Sequence, residues 1–243
     1  MRFTSETSSD GVFEQLFLLD DIPGALWTPQ GADGTRPLIV LGHGGGQSRK
    51  APDIVARARR FVAECGFAVV AVDAPSHGDR PEHEEFTRIA TEYEARLGAR
   101  EGLAPLIADF QALVVGQIVP EWQTVVDAVQ MLSHVGIGPV GYWGVSLGCV
   151  IGVPLVAAEP RVRAAVLGLA GSEVSAEAAA RITVPVEFLV QWDDERVPLT
   201  QSLALFDAFA STEKTLHANP GKHGEVPAFE MDSTLRFFAR HLG

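Results

Sequence analysis

The chain carries a series of short apolar runs: Leu38–Leu41, Phe67–Val72, Val140–Trp143, Val162–Leu169 and Val186–Val190. Each is too short for a buried helix and shows no polar face, which is the pattern of a strand covered on both sides. Stretches with helical spacing alternate with them: Ile54–Cys65, Trp122–Val135, Leu147–Ala158, Leu199–Phe209 and Pro227–Leu242. In the first of these, Ile54, Val55, Ala58, Phe61 and Val62 fall on one face before Gly66 stops the helix. Buried strands separated by amphipathic helices predict a mostly parallel sheet with helices on both faces. Val12–Leu18 and Gly24–Thr28, split by Asp20-Asp21, read as an antiparallel hairpin, and Lys214–His217 reads as the last strand. At 243 residues the chain suits one domain, spanning 1–243.

One stretch breaks the alternation. Pro75 to Pro139 is far longer than a single crossover helix needs. Its middle, 81–119, carries Phe86, Tyr93, Leu97, Leu103, Leu106, Ile107, Phe110, Val114 and Val115. This predicts about two extra helices laid as a cap over the carboxyl end of the sheet, where open α/β sheets bind ligands.

Charge and composition exclude several function classes. The net charge of −12 repels nucleic acid and anionic membranes. The one short basic stretch, Arg57-Ala58-Arg59-Arg60, is expected to be a solvated helix face. No apolar run is long enough to span a bilayer, and the polar start Met1-Arg2-Phe3-Thr4 lacks a signal-peptide core. Cys65 and Cys149 are expected to be buried free thiols, which suits the cytoplasm. No metal or other cofactor is expected, and the partner is a small molecule. The sequence leaves the oligomeric state open.

The chemistry concentrates on loops that follow strands. Gly144-Val145-Ser146-Leu147-Gly148 is a G-x-S-x-G pentapeptide between an apolar strand and an apolar helix. A serine in such a turn is held in a strained conformation with its hydroxyl pushed off the sheet edge, which makes Ser146 the candidate nucleophile. A serine hydroxyl needs a base. His223 lies in the glycine-rich loop between the last strand and the last helix, from which it reaches back to Ser146. His43 and His77 also follow strands, but each precedes a glycine and reads as structural. The base needs an acid, and Asp193-Asp194-Glu195 follows the penultimate strand. Asp194 is favoured for its spacing to Val197-Pro198, Asp193 is the runner-up, and Glu195 is expected to face solvent. Charge developing on a carbonyl oxygen needs backbone donors. The Leu147 amide is one candidate. The run His43-Gly44-Gly45-Gly46 offers another, with Gly45 preferred and Gly44 second.

Taken together, these pieces resemble the α/β-hydrolase superfamily. The matching residues are Gly42-His43-Gly44-Gly45-Gly46, Asp73-Ala74-Pro75-Ser76-His77-Gly78, the Ser146 turn, Asp194-x-x-Val197-Pro198 and His223-Gly224. The resemblance implies an eight-stranded, mostly parallel sheet with an antiparallel second strand. It gives Ser146, Asp194 and His223 the roles of nucleophile, acid and base, in the chain order Ser…Asp…His. Within the superfamily the chain looks most like the dienelactone-hydrolase and prolyl-oligopeptidase-like serine esterases. It departs from dienelactone hydrolases proper in having serine where they carry cysteine. The segment between Val162–Leu169 and Val186 is also short for a lid, which leaves 81–119 as the cap.

The expected activity is cleavage of a carboxylic ester with a small or medium, apolar acyl group through an acyl-enzyme. Phe86, Tyr93, Phe110 and Trp192 are candidate lining residues. A thioesterase, lactonase or amidase would use the same residues. A member that binds a small molecule without catalysis is the alternative of another class.

Overall fold

The computed structural model describes residues 1–31, 33–97, 103–171 and 175–243. Residues 98–102 of the 81–119 insert lie outside the described residues, as do the side chains of Leu97 and Leu103 and residues 172–174 of the short segment before Val186.

Among the described residues nine strands form one sheet: β1 (Arg2–Ser9), β2 (Val12–Leu19), β3 (Ile22–Pro29), β4 (Leu38–Gly42), β5 (Ala68–Val72), β6 (Val140–Val145), β7 (Val162–Gly168), β8 (Val186–Gln191) and β9 (Lys214–Asn219). Their spatial order is β1-β2-β3-β5-β4-β6-β7-β8-β9. The first three run antiparallel to their neighbours, and β4 through β9 are mutually parallel. The sheet therefore has one strand more than the eight expected. The addition is β1, a polar and exposed strand held by its ladder to β2. It buries almost nothing, so it carries no apolar alternation from which a strand is read. The hairpin turn at Asp20-Asp21 is as expected, with Asp20 at φ 50°.

Helices cover both faces. On one side α1 (Pro52–Cys65) and α8 (Glu230–Leu242) bury Ile54, Phe61, Leu235 and Phe238 against Ile39, Leu41, Val69 and Trp143. On the other, α4 (Val119–Gln130), α5 (Leu147–Ala158) and α7 (Leu199–Ala208) bury Trp122, Val126, Ile151 and Leu205 against Leu38, Val40, Tyr142 and Phe188. Alternate residues of the central strands, such as Leu38 and Val40 against Ile39 and Leu41, enter opposite cores, as a period of two demands. α6 (Ala176–Ala179) is a single short turn.

The insert supplies α2 (Glu84–Leu97) and α3 (Leu103–Leu113), and α3 runs through a π-helical turn at Val114–Ile118 straight into α4. The basic stretch is not uniformly solvated. Arg59 and Arg60 pair with Asp10 and with Glu64 and Asp232 at the surface, but Arg57 lies 3.7 Å over the Trp143 ring. Burial there lowers its pKa to about 10. Among the described residues, no helix is long and apolar enough to cross a membrane.

Candidate active site

The parallel strands deliver their following loops to one edge of the sheet. At the end of β6 the chain turns into α5 within one residue, and Ser146 makes that turn at φ 56°, ψ −122°. A positive φ in a residue with a Cβ is strained and must be held by its surroundings. Its N–H is held by the Gly168 carbonyl at 3.0 Å. The flanking glycines permit the close approach. A Cβ on Gly144 would stand 2.7 Å from the Gly148 carbonyl oxygen, and one on Gly148 would stand 2.5 Å from that of Gly42. The Tyr142 hydroxyl donates to the Gly148 carbonyl at 2.5 Å and fixes the first turn of α5 from below.

The loops after β8 and β9 meet opposite this turn. Asp193 Oδ2 accepts the Gly221 N–H at 3.2 Å, and Glu195 Oε2 accepts the His223 N–H at 3.1 Å. The exposed carboxylates on either side of Asp194 thus tie down the backbone of the histidine loop. Asp194 itself points inward, its side chain 4% exposed. Its Oδ1 accepts the Arg196 and Val197 amides, each at 2.8 Å, and its Oδ2 accepts from His223 Nδ1 at 2.8 Å. A carboxylate only accepts, so the imidazole proton sits on Nδ1. Nε2 is left to accept from the Ser146 hydroxyl, 2.8 Å away. Burial pushes the Asp194 carboxyl up, but hydrogen bonds from His223, Val197 and Arg196 outweigh it and leave the group below the ordinary aspartate range.

The structure therefore brings Ser146, His223 and Asp194 into one hydrogen-bonded chain, and Asp193 is not the partner of the imidazole. Such an arrangement can draw the proton from a serine hydroxyl as it attacks a carbonyl.

The glycine turn after β4 lies beside it. Gly44 N–H donates to Gln47 Oε1 at 2.9 Å, and Gly46 N–H donates to His77 Nε2 at 3.1 Å. Among the described residues, the amides of Gly45 and Leu147 have no protein acceptor, and both residues line the cavity at Ser146. Of the two glycines expected to donate, Gly44 is already engaged within its own turn.

That cavity measures about 570 Å³. Phe86, Ile89, Tyr93, Leu106, Ile107 and Phe110 from α2 and α3 form one wall, and Val150, Leu169 and Val197 form much of the other. Trp192, expected to line it, does not: it is 56% exposed on the outer side of its loop. Glu94 of α2 and Arg196 pair at the rim, a contact between distant segments that no sequence period announces. Cys149 is fully buried on the far side of the first turn of α5 and does not reach the cavity.

Elsewhere, Glu187, His217 and Glu230 hold one possible metal-ligand atom each within 4.8 Å of one another. Protein donors already engage them: His217 Nδ1 lies 2.7 Å from Glu230, and Ser233 and Thr234 donate to Glu187.

No protein-family model and no curated protein matches the chain. Among solved structures, it is similar over all of both chains to a polyethylene-glycol-bound cold-adapted esterase from an Arctic intertidal metagenomic library, at 32% identity and a TM-score of 0.79. It is also similar to an acetyl xylan esterase from Paenibacillus sp. R4, at 15% identity over 99% of this chain and 88% of that one, TM-score 0.72. A dienelactone hydrolase from Anabaena variabilis matches at 20% identity over 95% and 99%, TM-score 0.62. At those lower identities the last two speak for the fold alone.

Proposed function

Because this chain belongs to the α/β-hydrolase-fold serine esterases, and so is a carboxylic ester hydrolase, we propose that it cleaves esters of small or medium apolar acids with Ser146, His223 and Asp194. The observation that carries this reading is the continuous hydrogen-bond chain from Asp194 through His223 to Ser146, opening into an apolar cavity.

Ser146 Oγ attacks the ester carbonyl while His223 Nε2 takes its proton. Asp194 keeps the other imidazole proton on Nδ1 and stabilises the imidazolium that forms. The amides of Gly45 and Leu147, two residues that line the cavity and whose N–H groups have no protein acceptor among the described residues, donate to the developing oxyanion. His223 then protonates the leaving alcohol, and water releases the acid by the same steps. The acyl group lies along the wall formed by Phe86, Leu106, Ile107 and Phe110, so the 81–119 insert works as a cap on one domain. The free cysteines fit a reducing compartment, and the cytoplasm is the proposed location.

The test is hydrolysis of p-nitrophenyl esters from acetyl to long acyl chains by the wild type and by folded Ser146→Ala. Turnover of short and medium esters by the wild type alone, with the variant down by several orders of magnitude, is expected. Equal rates for the two proteins would overturn the assignment of Ser146.

A further inference from the structure

We infer that His77 is a positioning residue for ester cleavage, holding the glycine turn so that the Gly45 amide faces the oxyanion. The inference rests on the proposed role of Gly45 and adds a residue that does not touch the reacting atoms.

The geometry fixes the state of the ring. His77 Nδ1 lies 2.8 Å from the Pro75 carbonyl, which only accepts, so Nδ1 carries a proton. His77 Nε2 lies 3.1 Å from the Gly46 N–H, which only donates, so Nε2 presents its lone pair. The ring is therefore neutral, in one tautomer, and bonded on both sides. Gly46 adopts φ +73°, a conformation with no regular ladder to support it. The Gly46 N–H has no other protein acceptor among the described residues. With the Gly44 N–H held by Gln47 and the Gly46 N–H held by His77, the amide between them, in a residue that lines the cavity, is the one left without a protein acceptor among the described residues.

His43 makes the reciprocal tie. It belongs to the glycine turn, donates from Nδ1 to the Gly44 carbonyl at 2.8 Å, and accepts the Ala74 N–H on Nε2 at 3.0 Å. Each loop thus lends a histidine to an amide of the other, with the two rings 5.2 Å apart. The Asp73 carboxylate reinforces the same seam by accepting the Arg49 and Asp79 amides at 2.8 and 2.9 Å. His77 also packs perpendicular to Phe86 on α2, with ring centroids 5.4 Å apart. One ring therefore touches both the turn that supplies the donor and the cap wall that meets the substrate.

A donor misplaced by about an ångström loses much of its value in the transition state and little in the ground state. The experiment uses the full chain with His77→Leu, which removes the acceptor, and His77→Gln, whose amide oxygen replaces Nε2. Measured are kcat and KM on p-nitrophenyl butyrate, the inhibition constant of a trifluoromethyl ketone that forms a tetrahedral adduct, and Tm. For His77→Leu, kcat is expected to fall about ten- to a hundredfold, with KM within about threefold. The ketone should weaken by the same factor as kcat, and His77→Gln should recover most of both. Should His77→Leu not fold, His77→Asn, polar but too short to reach Gly46, takes its place. Wild-type kcat and ketone affinity in the acceptor-less variant would overturn the inference. So would a rise in KM alone, or a Gln variant no better than Leu at equal Tm. A Ser146→Ala variant assayed alongside separates the failures. If it is inactive while the His77 variants are indifferent, this inference alone fails; if it stays active, the underlying reading fails as well.

Discussion

Replacing Asp194 by asparagine changes few atoms, yet the hydrogen bonds around it predict a large loss. Asp194 Oδ1 accepts two backbone amides, from Arg196 and Val197, in a side chain 4% exposed. In Asp194→Asn the amide oxygen must keep that place. Flipped, it would set an NH₂ group against two buried donors, each costing about 1–3 kcal/mol when left unpaired. The NH₂ group therefore faces His223 Nδ1, 2.8 Å away in the wild type. Nδ1 then has to accept, the imidazole proton moves to Nε2, and Nε2 can no longer take the proton of Ser146. The expected fall in kcat is on the order of 10⁴, or about 5.4 kcal/mol in the barrier, at nearly unchanged KM. The assay is p-nitrophenyl butyrate hydrolysis near neutral pH, with Asp193→Asn as the companion. That exposed residue accepts one loop amide, so its loss should cost less than about tenfold. An Asp194→Asn variant within about tenfold of the wild type would refute the reasoning, as would a larger loss in Asp193→Asn.

Gly148→Ala sets a Cβ 2.5 Å from the Gly42 carbonyl oxygen, a backbone atom that cannot rotate away. It should cost about 1–3 kcal/mol and several degrees of Tm, so an unchanged melting curve would count against the tight-turn account. Burial lowers the pKa of His43, and likewise those of His134 and His241. Below about pH 6.5 the unfolded chain binds protons that these native rings refuse, so stability should fall with pH, by up to about 1.4 kcal/mol per pH unit for His43. Calorimetry across that window showing a rising Tm would contradict the buried neutral state. Cys149 is fully buried with its thiol pushed up to about 12, whereas Cys65 is partly exposed. Iodoacetamide on the native protein should modify Cys65 and leave Cys149 intact, and rapid double alkylation would speak against the packing of α5.

The sheet and the meeting of three loops at one edge were legible because they follow from local patterns. Runs such as Val140–Trp143 are apolar on both faces, the serine and the aspartate each sit just past such a run, and the histidine follows the more polar last strand, Lys214–Asn219. What the sequence hid depends on contacts between distant segments. The polar β1 is held by its ladder to β2 and leaves no hydrophobic period. Trp192 looked like a lining residue by type, but it is exposed, while the two residues after it bond to the histidine loop. His43 and His77 read as structural residues before glycines. Their reciprocal bonds link positions 31 residues apart, visible only once β4 and β5 lie side by side. The preference between Gly44 and Gly45 was likewise set by one side chain, Gln47, which takes the Gly44 amide.

The central claim is that Ser146 is the residue that becomes acylated. Its most direct test is treatment of the native protein with a fluorophosphonate, followed by intact mass and peptide mapping. One adduct on the peptide containing Ser146, absent in Ser146→Ala and slowed in Asp194→Asn, is the predicted result. An adduct on another residue, or undiminished labelling of Ser146→Ala, would contradict it.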